Sequence, residues 1–530
     1  MIPKLIHQTW KSHEIPARFA NMVATWRSQN PGWEYRFWSD EDLDTFVADF
    51  YPEFLDIFRG YANGVQRADA GRYLILHHFG GVYSDIDTTC ESSFDILADD
   101  NRIIVCEEPP EHWVPHARAR GLNHLIFNGT LASPRGHPFW PYLLQKMALN
   151  KTTENTLDST GPLLLTGCIE SYGQTDQFSI NSCQLFCPIQ SSGSRAQQVP
   201  FGDYRGHALS THHWAGTWYT KWRANWLEKL ESYIRHWHYL ATRGRFLSPE
   251  RARATVNLPV LLEPLPALTG HEKIACLIPV RNAVPHLARC MQLLWQLDYP
   301  LKNIDITFCE GDSTDDTAEV LAGIVEANRN IFRSIGVVHK TVGTQFDQAR
   351  RWLPAKQRER RGGLAAVRNH LIATGIKPDS DWVLWIDVDV SSYPDKALKL
   401  LLNENEKIVV PHCLKENGGG VGFDLNSFST TFEYKDAAYF RNVRHGLYQP
   451  PLDFGRRVYM HDVRYLHRLP LNGVGGTMLL VHASVHRAGV CFPEVPYCNL
   501  IETEGFGQWA RDLGVTPVGL PNLEITHPDS

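Results

Sequence analysis

Short apolar runs alternate with stretches of helical periodicity along most of this chain. Residues 4–9 and 33–38 are apolar and short, as strands are, while residues 67–78 space their apolar positions as a helix feeding a further strand at Val82. Beyond residue 220 the pattern changes. Trp214, Trp218, Trp222 and Trp226 recur every four residues, and Tyr233, Ile234, Trp237 and Leu240 extend the same apolar face. Lys221, Arg223, Lys229, Arg235, Arg243 and Arg245 accompany them, and Pro259, Pro264 and Pro266 then punctuate the chain. From Lys273 the alternation begins afresh, with strands expected over 274–280, 304–308 and 382–390 and a helix over 364–374. Two rounds of βα alternation predict two α/β domains on mostly parallel sheets. We place them at residues 1–220 and 273–530, joined by a helical, Trp- and basic-rich linker at 221–272.

Each domain carries an acidic pair where an apolar strand runs out. Asp85 and Asp87 follow Gly80-Gly81-Val82-Tyr83-Ser84, and Asp387 and Asp389 follow Trp382-Val383-Leu384-Trp385-Ile386. In a strand, alternate side chains face one way, so each pair is expected to converge. Converging carboxylates suit a hard divalent cation, and ligands of such sheets sit beyond the carboxyl ends of the strands. A cation there would grip a diphosphate. The same Asp-x-Asp spacing at Asp40/Asp42, Asp42/Asp44 and Asp379/Asp381 lacks this setting and reads as surface turns or helix starts.

Composition narrows the classes. A hydrophobic content of 43% and a charged content of 21% are those of an ordinary globular protein. A net charge of -6 argues against a nucleic-acid binder. No apolar run approaches bilayer length, and the N-terminus reads as a first strand rather than a signal peptide. The 11 cysteines lack paired spacing and read as reduced thiols of a cytoplasmic protein. The tryptophan-basic helix has two readings: packing between domains, or peripheral contact with an anionic membrane surface at its inner face.

In the first half, Asp69 and Arg72 share a helix face. Asp69 is a candidate acceptor for sugar hydroxyls and Arg72 for sugar or phosphate contact, against an ordinary ion pair. Trp10, at the end of the first strand, is a candidate for stacking on a nucleobase or a core residue. Residues Ile2 through Trp10, Arg67-Ala68-Asp69 with Arg72-Tyr73, Gly80 through Asp87, Asn128-Gly129-Thr130, Ser133-Pro134, His137-Pro138-Phe139, Thr160-Gly161-Pro162 and His212-His213-Trp214 through Trp218 resemble glycosyltransferase family 32. That family includes yeast α-1,6-mannosyltransferases and bacterial capsule enzymes. The resemblance implies that Asp87 ligates a metal, that Asp85 meets the ribose or sugar and metal-bound water, and that His212 or His213 completes the sphere. A histidine ligand favours Mn²⁺ over Mg²⁺, because nitrogen is the softer donor.

In the second half, Pro279 and Arg281 follow the opening strand, and Glu310 and Asp312 follow the next. Acids and small residues there suit a nucleoside's hydroxyls and base edge, while Ser313 to Thr317 also reads as a helix start. Arg368 is a candidate for the diphosphate. Leu364 through Asn369, Asp381 through Asp389, Phe423 through Ser427, Gly473 through Thr477, His486-Arg487, Glu502 through Gly507 and Gly519 through Asn522 resemble glycosyltransferase family 62, the yeast Golgi mannan-polymerase subunits. The resemblance implies that Asp387 and Asp389 hold metal and diphosphate, that His527 is the late histidine ligand, and that Glu502 and Glu504 lie near transferred sugar and acceptor. Asn472 stands where that family leads one to expect aspartate, which puts acceptor choice in question.

Together these resemblances imply two GT-A-type, Rossmann-like domains with one Mn²⁺ each, Mg²⁺ being the alternative. They imply a bifunctional retaining transferase that moves mannose from GDP-mannose, or sugar from a UDP-sugar, in two steps to a glycan or lipid-linked acceptor. In such a reaction the leaving phosphate can take the acceptor's proton, so no strong base is required. A nucleotidyltransferase would open with a glycine-rich, arginine-containing loop, and neither Trp10-Lys11-Ser12-His13 nor Arg281-Asn282-Ala283 is one. A remaining reading makes one domain a glycan-binding or scaffolding partner of the other.

Overall fold

Strand β1 (Leu5–Thr9) is buried at every position, as a strand covered on both faces must be. The computed structural model describes residues 1–193, 208–216, 247–343, 353–430 and 457–529, with scattered positions from 226 to 237 and from 439 to 448. The chain divides into two compact units. The first is Met1–Trp222 with Asp462–Leu466; the second is Arg223–His461 with His467–Ser530.

In the first unit β1 is flanked by β2 (Glu34–Trp38) and β3 (Gly81–Ser84), and the sheet runs on through β6 (Thr130–Ser133), β5 (Ile103–Cys106) and β7 (Phe178–Asn181). Only β6 runs against its neighbours. A separate pair, β4 (Thr88–Cys90) and β8 (Ser210–His212), sets Thr88 opposite His212. Buried His7 shows how closely β1 is specified. The Trp38 indole N–H donates to its Nδ1 at 3.2 Å, and its Nε2 lies 3.1 Å from the Gly80 carbonyl. Both contacts fit one neutral tautomer, and burial lowers its pKa to about 3.

Elsewhere in this unit, Arg120 and Asp158 form a buried bidentate pair, and the Tyr465 hydroxyl donates to Asp158 Oδ1 at 2.8 Å. Gly167 makes room for the Tyr465 ring: a Cβ there would come within 2.4 Å of it.

The second unit repeats the plan. Its large sheet runs β11 (Ser334–His339), β10 (Ile304–Glu310), β9 (Ile274–Val280), β12 (Trp382–Ile386), β19 (Met478–His482), β13 (Ile408–Lys415), β20 (Val518–His527) and β18 (Leu469–Pro470). β19 is antiparallel to both its neighbours. Short β14 (Phe428–Thr430) pairs with β17 (Arg457–Tyr459), and β15 (Val443–Arg444) with β16 (Leu447–Tyr448). The six central strands follow the order of the first unit: second, first, acid-bearing, antiparallel, next, last. The two α/β, Rossmann-like domains expected from the sequence are present.

Residues 223–272, read as linker, group with the second unit and include helices Pro249–Ala254 and Leu258–Leu262. Of the tryptophan-basic stretch, Trp218, Trp222, Leu240 and the six basic residues lie outside the described residues. Trp226, Leu227, Leu230, Tyr233, Ile234 and Trp237 are helical and between 49% and 70% exposed. Among the described residues no helix is long and apolar enough to cross a membrane. All 11 cysteines are free thiols.

Candidate active site

The first acidic pair is delivered by a helix, two glycines and a strand. Helix Gly64–Phe79 opens on Asn63, whose side chain accepts from Gln66 N–H in a reciprocal capping box. It closes at Gly80, with φ +68°, followed by Gly81, with φ +93°. A Cβ at Gly81 would sit 2.3 Å from the Leu5 carbonyl oxygen, so glycine alone lets the chain enter β3 beside β1.

β3 ends at Ser84, and β12 likewise ends at Ile386. Both acidic pairs therefore lie in turns just past their strands, and the expected convergence through strand alternation is not how they meet. In the first unit the turn itself gathers them. One ligand atom each from Asp85, Asp87 and His212 lie within 4.8 Å of one another. His212 Nε2 is 3.1 Å from Asp87 Oδ1 and 3.9 Å from Asp85 Oδ2. His213 instead turns its Nε2 to the Thr89 hydroxyl at 2.6 Å, so the geometry selects His212. Asp87 is further held by Ala215 N–H at 2.9 Å.

Arg72 organises the interior side. Its Nη2 is 3.0 Å from Asp69 Oδ1 and 3.1 Å from Asp85 Oδ1, and its Nη1 donates to the Asn128 carbonyl. Tyr83 donates to Asp85 Oδ1 at 2.9 Å. Both oxygens of Asp69 are engaged within the protein, by Arg72, Asn128 Nδ2 and Thr160 Oγ1, so in this structure they are not open to sugar hydroxyls. Trp10 is half-buried and packs edge-on against Phe19 at 5.5 Å.

The electrostatics follow from burial and partners. Burial pushes Asp69 up to about 6 against the pull of Arg72. Burial also raises Asp85, opposed by Arg72 and reinforced by Asp87. Asp87 goes the other way: burial is outweighed by the hydrogen bond and charge of His212 and by backbone N–H groups, which hold it at about 2. His212 is raised in turn, its burial outweighed by Asp87. Two carboxylates and an imidazole at this spacing fit a divalent cation of borderline hardness.

In the second unit, Arg361 and Arg368 sit two turns apart on helix Pro354–Gly375 and share a face. Arg368 Nη2 is 3.0 Å from Asp387 Oδ1, and its Nε is 3.2 Å from Glu502 Oε1. Arg361 reaches Glu502 at 3.4 Å and Glu504 at 2.9 Å, and Arg457 also meets Glu504 at 2.9 Å. Glu502 and Glu504 are thus tied into an arginine ladder. Glu502 has φ +57°, a strained backbone for a residue with a side chain. His527 Nε2 lies 3.2 Å from Asp389 Oδ1, and its ring stacks on Phe423 at 3.7 Å.

Burial raises Asp387 to about 7; Arg368 opposes this, while Asp389, Glu502 and Asp424 add to it. Asp389 is lowered because His527 outweighs burial. Asp424 accepts from Thr477 Oγ1 at 3.0 Å and Asn426 N–H at 3.1 Å. Glycine lets it approach: a Cβ on Gly475 would come within 1.7 Å of Asp424 Oδ2. Among the described residues, Asp387, Asp389 and His527 do not form a three-ligand cluster as close as that of Asp85, Asp87 and His212.

At the strand ends, Glu310 accepts from Ser313 N–H and pairs with His339 at 3.0 Å. Asp312 has φ +56° and accepts from Val342 and Gly343 N–H. Pro279 is half-buried and Arg281 exposed at the end of β9. Asn472 accepts from Thr430 N–H and donates to Gln508. Asp424 and Arg457 had no role in the sequence reading; Gly475, whose missing Cβ makes room for Asp424, is the trace of that approach in the sequence.

Two family models match the chain. Residues 16–104 match the family described as glycosyltransferase sugar-binding region containing DXD motif, and residues 254–496 match the Anp1 family. The mannan polymerase complex subunit mnn9 of Schizosaccharomyces pombe is 30% identical over 284 residues, 49% of this chain and 81% of that protein. Inositol phosphoceramide mannosyltransferase 2 of the same organism is 34% identical over 177 residues. That match takes in 32% of this chain and 47% of that relative, under half its length. Among solved structures, the mannosyltransferase PcManGT from Pyrobaculum calidifontis, in complex with GDP-Man and Mn²⁺, aligns at 12% identity with a TM-score of 0.29. It covers 57% of this chain and 68% of that one, a likeness too slight to build on.

Proposed function

This chain belongs to the Anp1 family and carries a DXD-type glycosyltransferase region in its first half, and from that premise we propose a bifunctional, metal-dependent, retaining transferase that adds two sugars in sequence. The donor we favour is GDP-mannose. The observation that carries the reading is a repeated arrangement. In each unit the first aspartate of the pair meets a helix arginine, Arg72 or Arg368, and the second meets a late histidine, His212 or His527.

In each site Asp85, Asp87 and His212, or Asp387, Asp389 and His527, would hold the cation. When bound, Mn²⁺ supplies Lewis acidity to the diphosphate leaving group. Arg72 and Arg368 are fixed beside the paired carboxylates, where their positive charge would offset that of a bound diphosphate. The bond from the anomeric carbon to the donor phosphate breaks, a bond to the acceptor oxygen forms, and the acceptor proton goes to the leaving phosphate. Glu502 and Glu504, held by Arg361, Arg368 and Arg457, position the acceptor side of the second site.

The acceptor we favour is a glycan or glycolipid, met by a cytoplasmic protein at a membrane surface. Support comes from the exposed Trp226, Leu227, Leu230, Tyr233, Ile234 and Trp237, together with the six lysines and arginines of the surrounding sequence.

A second reading, in which only the first unit is catalytic, has its own support. The closer ligand cluster is there, and Asp387 is raised to about 7. The test is donor hydrolysis and transfer over GDP- and UDP-sugars with Mn²⁺, on the full chain and on Asp87→Ala and Asp389→Ala. Two sites predict that each substitution abolishes one transfer and spares the other. If Asp87→Ala removes all turnover while Asp389→Ala removes none, the single-site reading stands.

A further inference from the structure

The first site lacks a part that metal-binding histidines ordinarily have. A ligating imidazole normally ties its second ring nitrogen to a carboxylate or carbonyl, which fixes tautomer and ring orientation. His212 turns Nε2 to the carboxylates, but its Nδ1 is buried and makes no hydrogen bond. Aromatic rings pack against it instead. The Trp214 ring stands nearly perpendicular to His212, with centroids 4.4 Å apart at 86°. Phe127 lies at 5.1 Å and 65°.

Trp214 is itself anchored twice. Its indole N–H donates to the Ile189 carbonyl, and His112 packs perpendicular to it at 4.6 Å. Its backbone is in the left-handed region, with φ +50°, where a bulky side chain is an outlier. His213 N–H, just before this turn, continues the β4–β8 ladder to the Asp87 carbonyl at 3.0 Å, and the turn itself brings Ala215 N–H to Asp87 Oδ2 at 2.9 Å. Ring and backbone of one residue thus act on His212 and on Asp87, and strain of this kind persists where surrounding structure enforces it.

We propose that Trp214 is the positioning residue of the first site: its ring face takes the place of the missing hydrogen-bond partner and holds His212 with Nε2 toward the cation. This rests on the reading of Asp85, Asp87 and His212 as a cation site. An aromatic face can receive a ring N–H edge-on, and losing the group that orients a ligating histidine typically lowers metal affinity 10–100-fold.

The test is Mn²⁺ binding to the full chain, followed as loss of the free-ion EPR signal, in an Asp389→Asn background that silences the second pair. Trp214→Leu keeps apolar bulk without a ring face; Trp214→Phe keeps a face. We expect Trp214→Leu to weaken binding about 10- to 100-fold, Trp214→Phe to restore most of it, and metal-free thermal midpoints of the two variants to agree. Unchanged affinity in Trp214→Leu overturns the role of Trp214 while leaving the cation site standing. So does an equal loss in both variants, which would mark simple packing. A parent chain that takes up no Mn²⁺ overturns the cation site and this role together.

Discussion

Arg368 holds its Nη2 3.0 Å from Asp387 Oδ1, deep enough that the arginine side chain is only 4% exposed. Arg72 stands in the same relation to Asp85 at 3.1 Å. Removing either cation leaves buried carboxylates without a counter-charge. Arg72→Ala should therefore destabilise the chain by about 3–5 kcal/mol and abolish the first transfer. A urea unfolding midpoint within error of the parent would contradict the buried network.

Gly475→Ala should damage the second site selectively. The added methyl would meet Asp424 Oδ2 at 1.7 Å and push the carboxylate off Thr477 and Asn426. We expect a cost of about 1–3 kcal/mol and loss of the second transfer with the first intact. Gly323, inside helix Thr317–Asn328 with nothing near its Cβ position, is the control. Gly323→Ala should stabilise by about 0.5–1 kcal/mol. Equal effects of the two substitutions would remove the steric argument.

Much of this was legible in the sequence. The bounds of β9 coincide with the apolar run at 274–280, because a strand buried on both faces has no polar position to blur its ends. The acidic pairs stood out because each follows such a run. Their manner of convergence did not, since each strand stops one residue before its first aspartate. His212 and His213 could not be told apart, because adjacent residues of a strand face opposite ways and only the pairing of Thr88 with His212 sets which turns inward. Asp424 and Arg457 reach the second site from positions with no periodic relation to Asp387, so only the folded chain brings them together.

Acid should weaken the fold through histidines buried as neutral rings. His7 is lowered to about 3 and His486 to about 4, in both cases first by burial. A histidine whose folded pKa lies below its unfolded value of about 6.5 contributes fully above that pH and loses its contribution as pH falls toward the folded value. Each such group predicts a slope of about 1.4 kcal/mol per pH unit between roughly pH 6 and 4. His7→Gln should make the dependence shallower by about one such slope. Denaturant midpoints that stay flat from pH 7 to 4.5 would contradict this account.

Membrane contact is open to a direct measurement. The full chain should sediment with vesicles containing anionic phospholipid and leave phosphatidylcholine vesicles largely unbound. Replacing both Trp226 and Trp237 by alanine should lower the bound fraction several-fold, with donor hydrolysis unchanged. Failure of the parent to bind, or binding indifferent to the substitutions, would retire the proposal.

The hydroxyl that Tyr465 gives to Asp158 comes from 307 residues further along the chain. During synthesis the first unit can gather its sheet early, at elongation rates of roughly 5–20 residues per second. Its buried Arg120–Asp158 pair then waits for the ribosome to pass residue 465. Until then the space beside Gly167 has no ring to fill it, so the N-terminal half matures only after a residue some three hundred positions downstream has been made.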